Sequence, residues 1–145
     1  MTGRDFRLPS EAQWERAARH TDRRKFPWAD EWRDGLVNSE EAGVGRTTAV
    51  GSFPRGAALC GAQDMSGNVW EWCSTRWRDE KGKNYPLPYR NDAREELRGD
   101  DNVWRVCRGG AFADSYWYMR PAFRNLLDPY YRDNSVGMRV VECLS

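Results

Sequence analysis

A chain of 145 residues with 31% charged side chains and a formal net charge of +1 has the size of one ordinary domain. The near balance of charge excludes a global field that would steer it to nucleic acid or an anionic membrane surface. No apolar run approaches the roughly 20 residues that cross a bilayer, and Met1-Thr2-Gly3-Arg4-Asp5 leads into no signal-peptide core, so membrane insertion is not expected and the cytoplasm is the default location, with export or surface display left open.

The first legible element is a helix. In "LPSEAQWERAARH", Ser10 is the N-cap, Gln13 completes a capping box, and Glu11 sits in the positive first turn. Its buried face is Trp14, Ala17 and Ala18, with Arg16 and Arg19 on the opposite face. From Thr21 to Ser66 glycines and prolines punctuate loops, and only "TTAVGSF" is β-branched and long enough for a strand. "GNVWEWC" reads as a strand that puts Trp70 and Trp72 on one, core-facing side and Val69, Glu71 and Cys73 on the other. Between Arg78 and Asp101 proline and charge predict a solvated surface excursion. "VWRVCRGGAF" is a buried strand ending where Gly109-Gly110 permits close backbone approach, and "GMRVVECL" is the last strand. Short strands, one helix and much ordered loop predict a loop-rich α+β fold forming a single domain over residues 1–145.

Cysteine and histidine limit the chemistry. Cys60, Cys73, Cys107 and Cys143 show neither CxxC pairing nor zinc spacing, which favours buried free thiols over the alternative of one or two disulfides. His20 is the only histidine and lies in a charged stretch, which argues against a histidine-based triad and against a multi-histidine iron site within these residues.

The stretches "FRLPSEAQWERAAR", "FPWADEW", "AVGSFP", "DMSGNVWEWC", "RVCRGGAF", "RPAFRN" and "GMRVV" follow one another in an order and spacing that resemble the sulfatase-modifying factor family, the formylglycine-generating enzyme type of C-type-lectin-like fold. The resemblance runs from Phe6 to Val141. It implies small twisted antiparallel sheets, few helices and a binding surface built by the C-terminal part. It also implies an N-terminal part of strands and loops ahead of the "RLPSEAQWE" helix, here missing. The chain is then either a naturally minimal version or one whose sheet a neighbouring chain completes; a homo-oligomer is one such arrangement.

A second departure concerns catalysis. Family oxidases carry a copper-binding cysteine pair shortly after the glycines of "RGG", where this chain has "AFADSYWYMR". Carboxylate and hydroxyl do not replace soft thiolates on copper(I), so the expectation is that the domain is not an enzyme. The family's iron-dependent sulfoxide synthases use a separate histidine-bearing domain for their ligands. No cofactor is required on this reading. Calcium is the exception that the resemblance leaves open, since "SGNVWEW" resembles a family calcium loop with Asn68 and Glu71 offering oxygens, against the alternative of a hydrogen-bonded turn. The loop around Asn38 resembles a second, shortened one.

The closing stretch is a frame with free positions in it. Arg108, Gly109, Gly110, Arg120, Ala122, Arg124, Pro129, Arg132, Gly137 and Arg139 match the family frame, the arginines holding loops through carbonyls and carboxylates. Between them the candidate ligand-binding residues are Asp114, Ser115, Tyr116, Trp117, Tyr118, Asn125, Leu127, Asp128, Tyr130, Tyr131, Asp133 and Asn134. Tyr, Ser, Asn and Asp together are the chemistry of an antibody paratope. The pattern resembles the variable proteins of diversity-generating retroelements, in which randomised adenines diversify such positions; Trp117 and Met119 fall outside the accessible set and would be fixed scaffold. The function expected is ligand binding and display toward a protein or other macromolecule, with a divergent oxidase or an accessory domain of a larger enzyme as the alternatives.

Overall fold

The structure is a computed structural model that describes residues 4–98 and 103–143; expectations touching Met1–Gly3, Gly99–Asn102 and Leu144 lie outside the described residues. Helix α1 (Glu11–Arg19) starts where its capping residues put it: Gln13 donates its backbone N–H to Ser10 Oγ, and Ser10 donates its own to Gln13 Oε1. Trp14 and Ala18 are buried on its inner face, and so is Glu11.

The helix packs on β2 (Trp70–Arg76) and β3 (Arg105–Arg108), the two central strands of a four-stranded sheet. β4 (Asn125–Leu127) flanks β3 and β5 (Val136–Met138) flanks β2. The β2–β3 and β3–β4 pairs are antiparallel, whereas β5 runs parallel to β2. β1 (Asp5–Arg7) and β6 (Val141–Cys143) form a separate antiparallel ribbon. With one α-helix and small sheets joined by long loops, the fold is α+β, as expected.

Side-chain alternation splits the core in two. On the helix side Trp14, Ala18, Met65, Cys73 and Val106 cluster. On the opposite face Trp70, Cys107 and Ala111 gather Trp72, Phe123, Leu127 and Val136 around them. Trp70 and Trp72 therefore share a face, but it is the one turned away from α1. A third cluster, Phe26, Val37 and Met119 with Trp28 and Trp32, sits under the loops.

Three expectations need correcting. "TTAVGSF" forms no strand, because its backbone groups are satisfied by side chains: Thr48 donates its N–H to Asn68 Oδ1 and Gly51 donates to Asp64 Oδ2. "GMRVVECL" is broken into β5 and β6, with Arg139 between them reaching over to Glu71. The excursion after Arg78 is a surface loop with a buried anchor: Arg94 is fully buried between the rings of Tyr85 and Tyr89, 5.2 and 5.1 Å from their centres, and bonds Asp92 and the Pro86 carbonyl.

Candidate functional site

The site is built from the segment that leaves β3. Gly110 has φ +76°, and a Cβ there would stand 2.7 Å from Met119 Cε and 3.1 Å from the Tyr118 carbonyl, so the chain turns back on itself only with glycine at this position. Met119 is fully buried and receives Ser66 Oγ on its carbonyl at 2.6 Å. The turn at Ser115–Tyr118 thus rises from a fixed base.

Arginines of the frame hold the rest. Arg108, only 2% exposed, donates to the Pro121 and Phe123 carbonyls and reaches Glu11 at 2.6 Å and Glu15 at 2.7 Å. Arg124 makes a two-pronged pair with Glu11 and lies 4.4 Å over the Trp77 ring. Arg132 is exposed and donates to the Pro129 and Tyr131 carbonyls, rigidifying its own turn. Planar guanidinium groups suit this work because their donors reach several acceptors at fixed angles.

The candidate ligand residues fall into two groups. The rings are accessible: Trp117 is 54% exposed, Tyr118 40%, Tyr130 63% and Tyr131 44%, with Tyr116 half-buried. Tyr116 and Trp117 meet at 4.8 Å with their rings tilted and Tyr116 also meets Trp32, while Tyr118 sets its edge on Trp70 and Phe123. Tyr130 and Tyr131 stand on the turn after Asp128, within the connection that carries the chain from one edge of the sheet to the other. Among the described residues neither ring contacts another aromatic ring.

Most of the polar candidates shape loops. Asp114 accepts from the Ala111 N–H, Asn125 from Leu126, Asp128 from Tyr130, and Asp133 from the Ser135 N–H and hydroxyl. The Ser135 bonds hold the Asp133 carboxyl below its usual ionisation range. Each of these is the local side-chain-to-backbone bond that Asp and Asn make in turns. Asn134 is exposed and Ser115 half-buried. Leu127 is half-buried and packs on the Trp70 face. Trp117 stands at the surface with Arg120 5.2 Å over its ring.

Sequence reasoning missed the prop beneath this end. Glu40 donates its N–H to the Asp114 carbonyl, and Glu41 accepts from the Tyr116 N–H at 2.8 Å. Burial works against the Glu41 charge, yet the Tyr116 N–H and the Ser39 hydroxyl hold its carboxyl below the usual range. Phe26, Trp28 and Trp32 extend the ring cluster from the same side. The motif "FPWADEW" was the available signal, but nothing local says that its tryptophans meet a tyrosine so far along the chain.

The calcium pair does not fit a cation. Both Glu71 oxygens are held by Arg139, at 2.5 and 2.7 Å, and Trp14 Nε1 donates to one of them at 2.6 Å. Asn68, at φ +67°, accepts from Thr48 N–H and Asn38 Nδ2. A guanidinium on the only carboxylate of the pair opposes a second positive charge, so the pair is a hydrogen-bonded turn before β2. Asn38 Oδ1 is buried there with no partner.

Copper(I) finds no thiolate pair either. The cysteines are free, and Cys73 and Cys107 are fully buried in different clusters on opposite faces of the sheet. Burial pushes both thiols far up from their ordinary ionisation range. Cys143 accepts from Arg7 Nε at 3.1 Å on the separate ribbon. A thiol reagent at about pH 8 is expected to modify exposed Cys60 first, and Cys73 and Cys107 only after unfolding in urea. Equal rates for all of them in the native protein would contradict this burial.

Comparison with known proteins gives the same fold and a different view of the chemistry. Residues 1–144 match the family model described as the sulfatase-modifying factor enzyme 1-like domain. Hercynine oxygenase of Mycobacterium tuberculosis is 36% identical over 138 residues, covering 92% of this chain and 32% of that protein. The formylglycine-generating enzyme of Streptomyces coelicolor is 34% identical over 152 residues, 92% of this chain and 45% of its own. Among solved structures, Treponema denticola variable protein 1 superposes with a TM-score of 0.73 at 28% identity, over 97% of this chain and 48% of that one. The chain spans about a third to a half of the length of these proteins. The expectation that the domain is not an enzyme is overturned: relatives 34–36% identical across 92% of the chain are named as an oxygenase. Absence of a copper-binding cysteine pair speaks to one chemistry of the family, not to catalysis as such.

Proposed function

The chain belongs to the sulfatase-modifying factor enzyme 1-like domain family, and from that premise we propose that it is the substrate-engaging domain of an oxygenase-type enzyme acting on hercynine or a molecule of its kind. The observation that carries this reading is the contrast at the C-terminal end. Accessible rings at Tyr116, Trp117, Tyr118, Tyr130 and Tyr131 rise from a base in which Arg108, Gly110, Met119 and Pro121 are buried. Rigid aromatic side chains on a fixed base give contact area at low entropic cost. The metal of such a reaction would be held by residues outside these 145. His20 is the only histidine and lies exposed at the end of α1, and among the described residues no three His, Cys, Asp or Glu side chains are grouped to hold an ion.

The test is a titration of the 15N-labelled chain with hercynine, read at the backbone amides. Shifts concentrated at Ser115–Tyr118 and Asp128–Asn134 are expected. Shifts elsewhere, or none at millimolar hercynine, would sink the reading.

Diversification of the same surface, serving a protein or other macromolecular ligand, is a second reading. It is favoured by the exposure of Ala113, Tyr118, Tyr130, Tyr131, Asp133 and Asn134 beside buried frame residues, and by the likeness to a variable protein. Sequencing the gene from many sibling cells should then find substitutions confined to the free positions between Ala113 and Ser135. Identical sequences throughout would remove it.

A further inference from the structure

A groove of about 600 Å3 is lined by Glu11, Glu15 and Arg19 of α1 among others, a volume that accommodates a small organic ligand. Its lining is strongly basic: Arg16, Arg19, Arg23, Arg108 and Arg124 surround only two carboxylates, Glu11 and Glu15. Those carboxylates are already taken. Glu11 lies between Arg108 and Arg124, and Glu15 between Arg108 and Arg19. Arg16 and Arg23, both exposed, have no carboxylate within ion-pair distance among the described residues.

The mouth of the groove is held in an unusual backbone. His20 and Arg23 have φ of 53° and 59°, a region non-glycine residues enter at a cost and keep only when their surroundings impose it. Arg19 braces the Arg23 end, donating to the Arg23 carbonyl at 2.6 Å and the Arg24 carbonyl at 3.0 Å. Arg108 also lines the groove, and its Nε is buried without an acceptor, a donor that normally finds one. The lining also carries apolar side chains, Leu87, Pro88 and Tyr89 with Ala12 and Ala122.

We propose that this groove binds an organic anion, a carboxylate or phosphate carried on an apolar body, with Arg16 and Arg23 meeting the anionic group and Leu87 and Pro88 covering the rest. Nothing in this assignment depends on the tyrosine-bearing end. Guanidinium pairs are suited to planar and tetrahedral oxyanions alike, and the apolar lining selects against bare inorganic ions.

Calorimetric titration with phenyl phosphate, and with inorganic phosphate alongside it, tests the site. Phenyl phosphate should bind more tightly, and the Arg16→Ala/Arg23→Ala variant should weaken it about tenfold or more, since charge-assisted hydrogen bonds are lost. Leu87→Ser should weaken phenyl phosphate and leave inorganic phosphate unchanged. Arg33→Ala/Arg55→Ala, in a different cavity, should change neither. All these side chains reach the surface, so native thermal midpoints are expected and are checked first. No binding, equal losses in the Arg33/Arg55 variant, or equal affinity for the two anions would each overturn the proposal.

Discussion

Replacing Arg108 with alanine is expected to be the most damaging single change in the chain, lowering the free energy of unfolding by about 3–5 kcal/mol. The guanidinium is almost completely buried and serves four acceptors at once: two backbone carbonyls after the turn, and Glu11 and Glu15 on α1. Its loss leaves buried Glu11 with Arg124 alone and leaves the Pro121 and Phe123 carbonyls without this donor. A domain of this size has only about 5–15 kcal/mol in total, so the variant would sit near the edge of folding. Arg108→Lys should recover little, because one ammonium cannot reach acceptors spread over two elements. By contrast Arg132→Ala, exposed and bonded only within its own turn, should stay within about 0.5 kcal/mol of the parent. Urea unfolding of the three variants decides it: a loss below 1 kcal/mol for Arg108→Ala would mean that the frame does not carry the fold.

That hierarchy among arginines marks where sequence reading stopped. The helix was legible because its signals are local: Ser10, Gln13 and the spacing of Trp14 and Ala18 lie within a few residues of one another. The glycines after β3 were legible for the same reason, and the family order of motifs supplied the rest of the fold. Partners far apart in the chain were not. Glu71 looked like a calcium ligand until Arg139 was placed on both of its oxygens. "TTAVGSF" had strand composition, but Asn68 and Asp64 satisfied its backbone before any neighbouring strand could. Asp114, Asp128 and Asp133 had binding-surface composition, and their oxygens went to the nearest backbone N–H groups. Polar residues at free positions therefore say less about a ligand than the rings beside them do.

Removing those rings is the second large effect expected, now on binding. Hot-spot aromatics contribute roughly 2 kcal/mol or more each, so Tyr116→Ser/Tyr118→Ser/Tyr130→Ser/Tyr131→Ser should reduce hercynine affinity by about a hundredfold or beyond, to the limit of detection. Stability should divide unevenly between the halves of this variant. Tyr130 and Tyr131 are exposed and touch no other ring among the described residues, and their double replacement should leave unfolding within about 0.5 kcal/mol of the parent. Tyr116 packs on Trp32 and Trp117, and Tyr118 on Trp70 and Phe123, so removing either one should cost about 1–3 kcal/mol, at ~0.5–1.5 kcal/mol per ring contact. Calorimetry with hercynine and urea unfolding on the same samples separate the two effects. Affinity lost with the fold intact places the substrate on this surface; unchanged affinity in the quadruple variant would move it elsewhere, and unfolding of the Tyr130/Tyr131 pair alone would mean that these rings are structural. Arg16→Ala/Arg23→Ala should leave hercynine binding untouched, because the basic groove lies against α1 while Trp70, the base of the ring cluster, faces away from the helix.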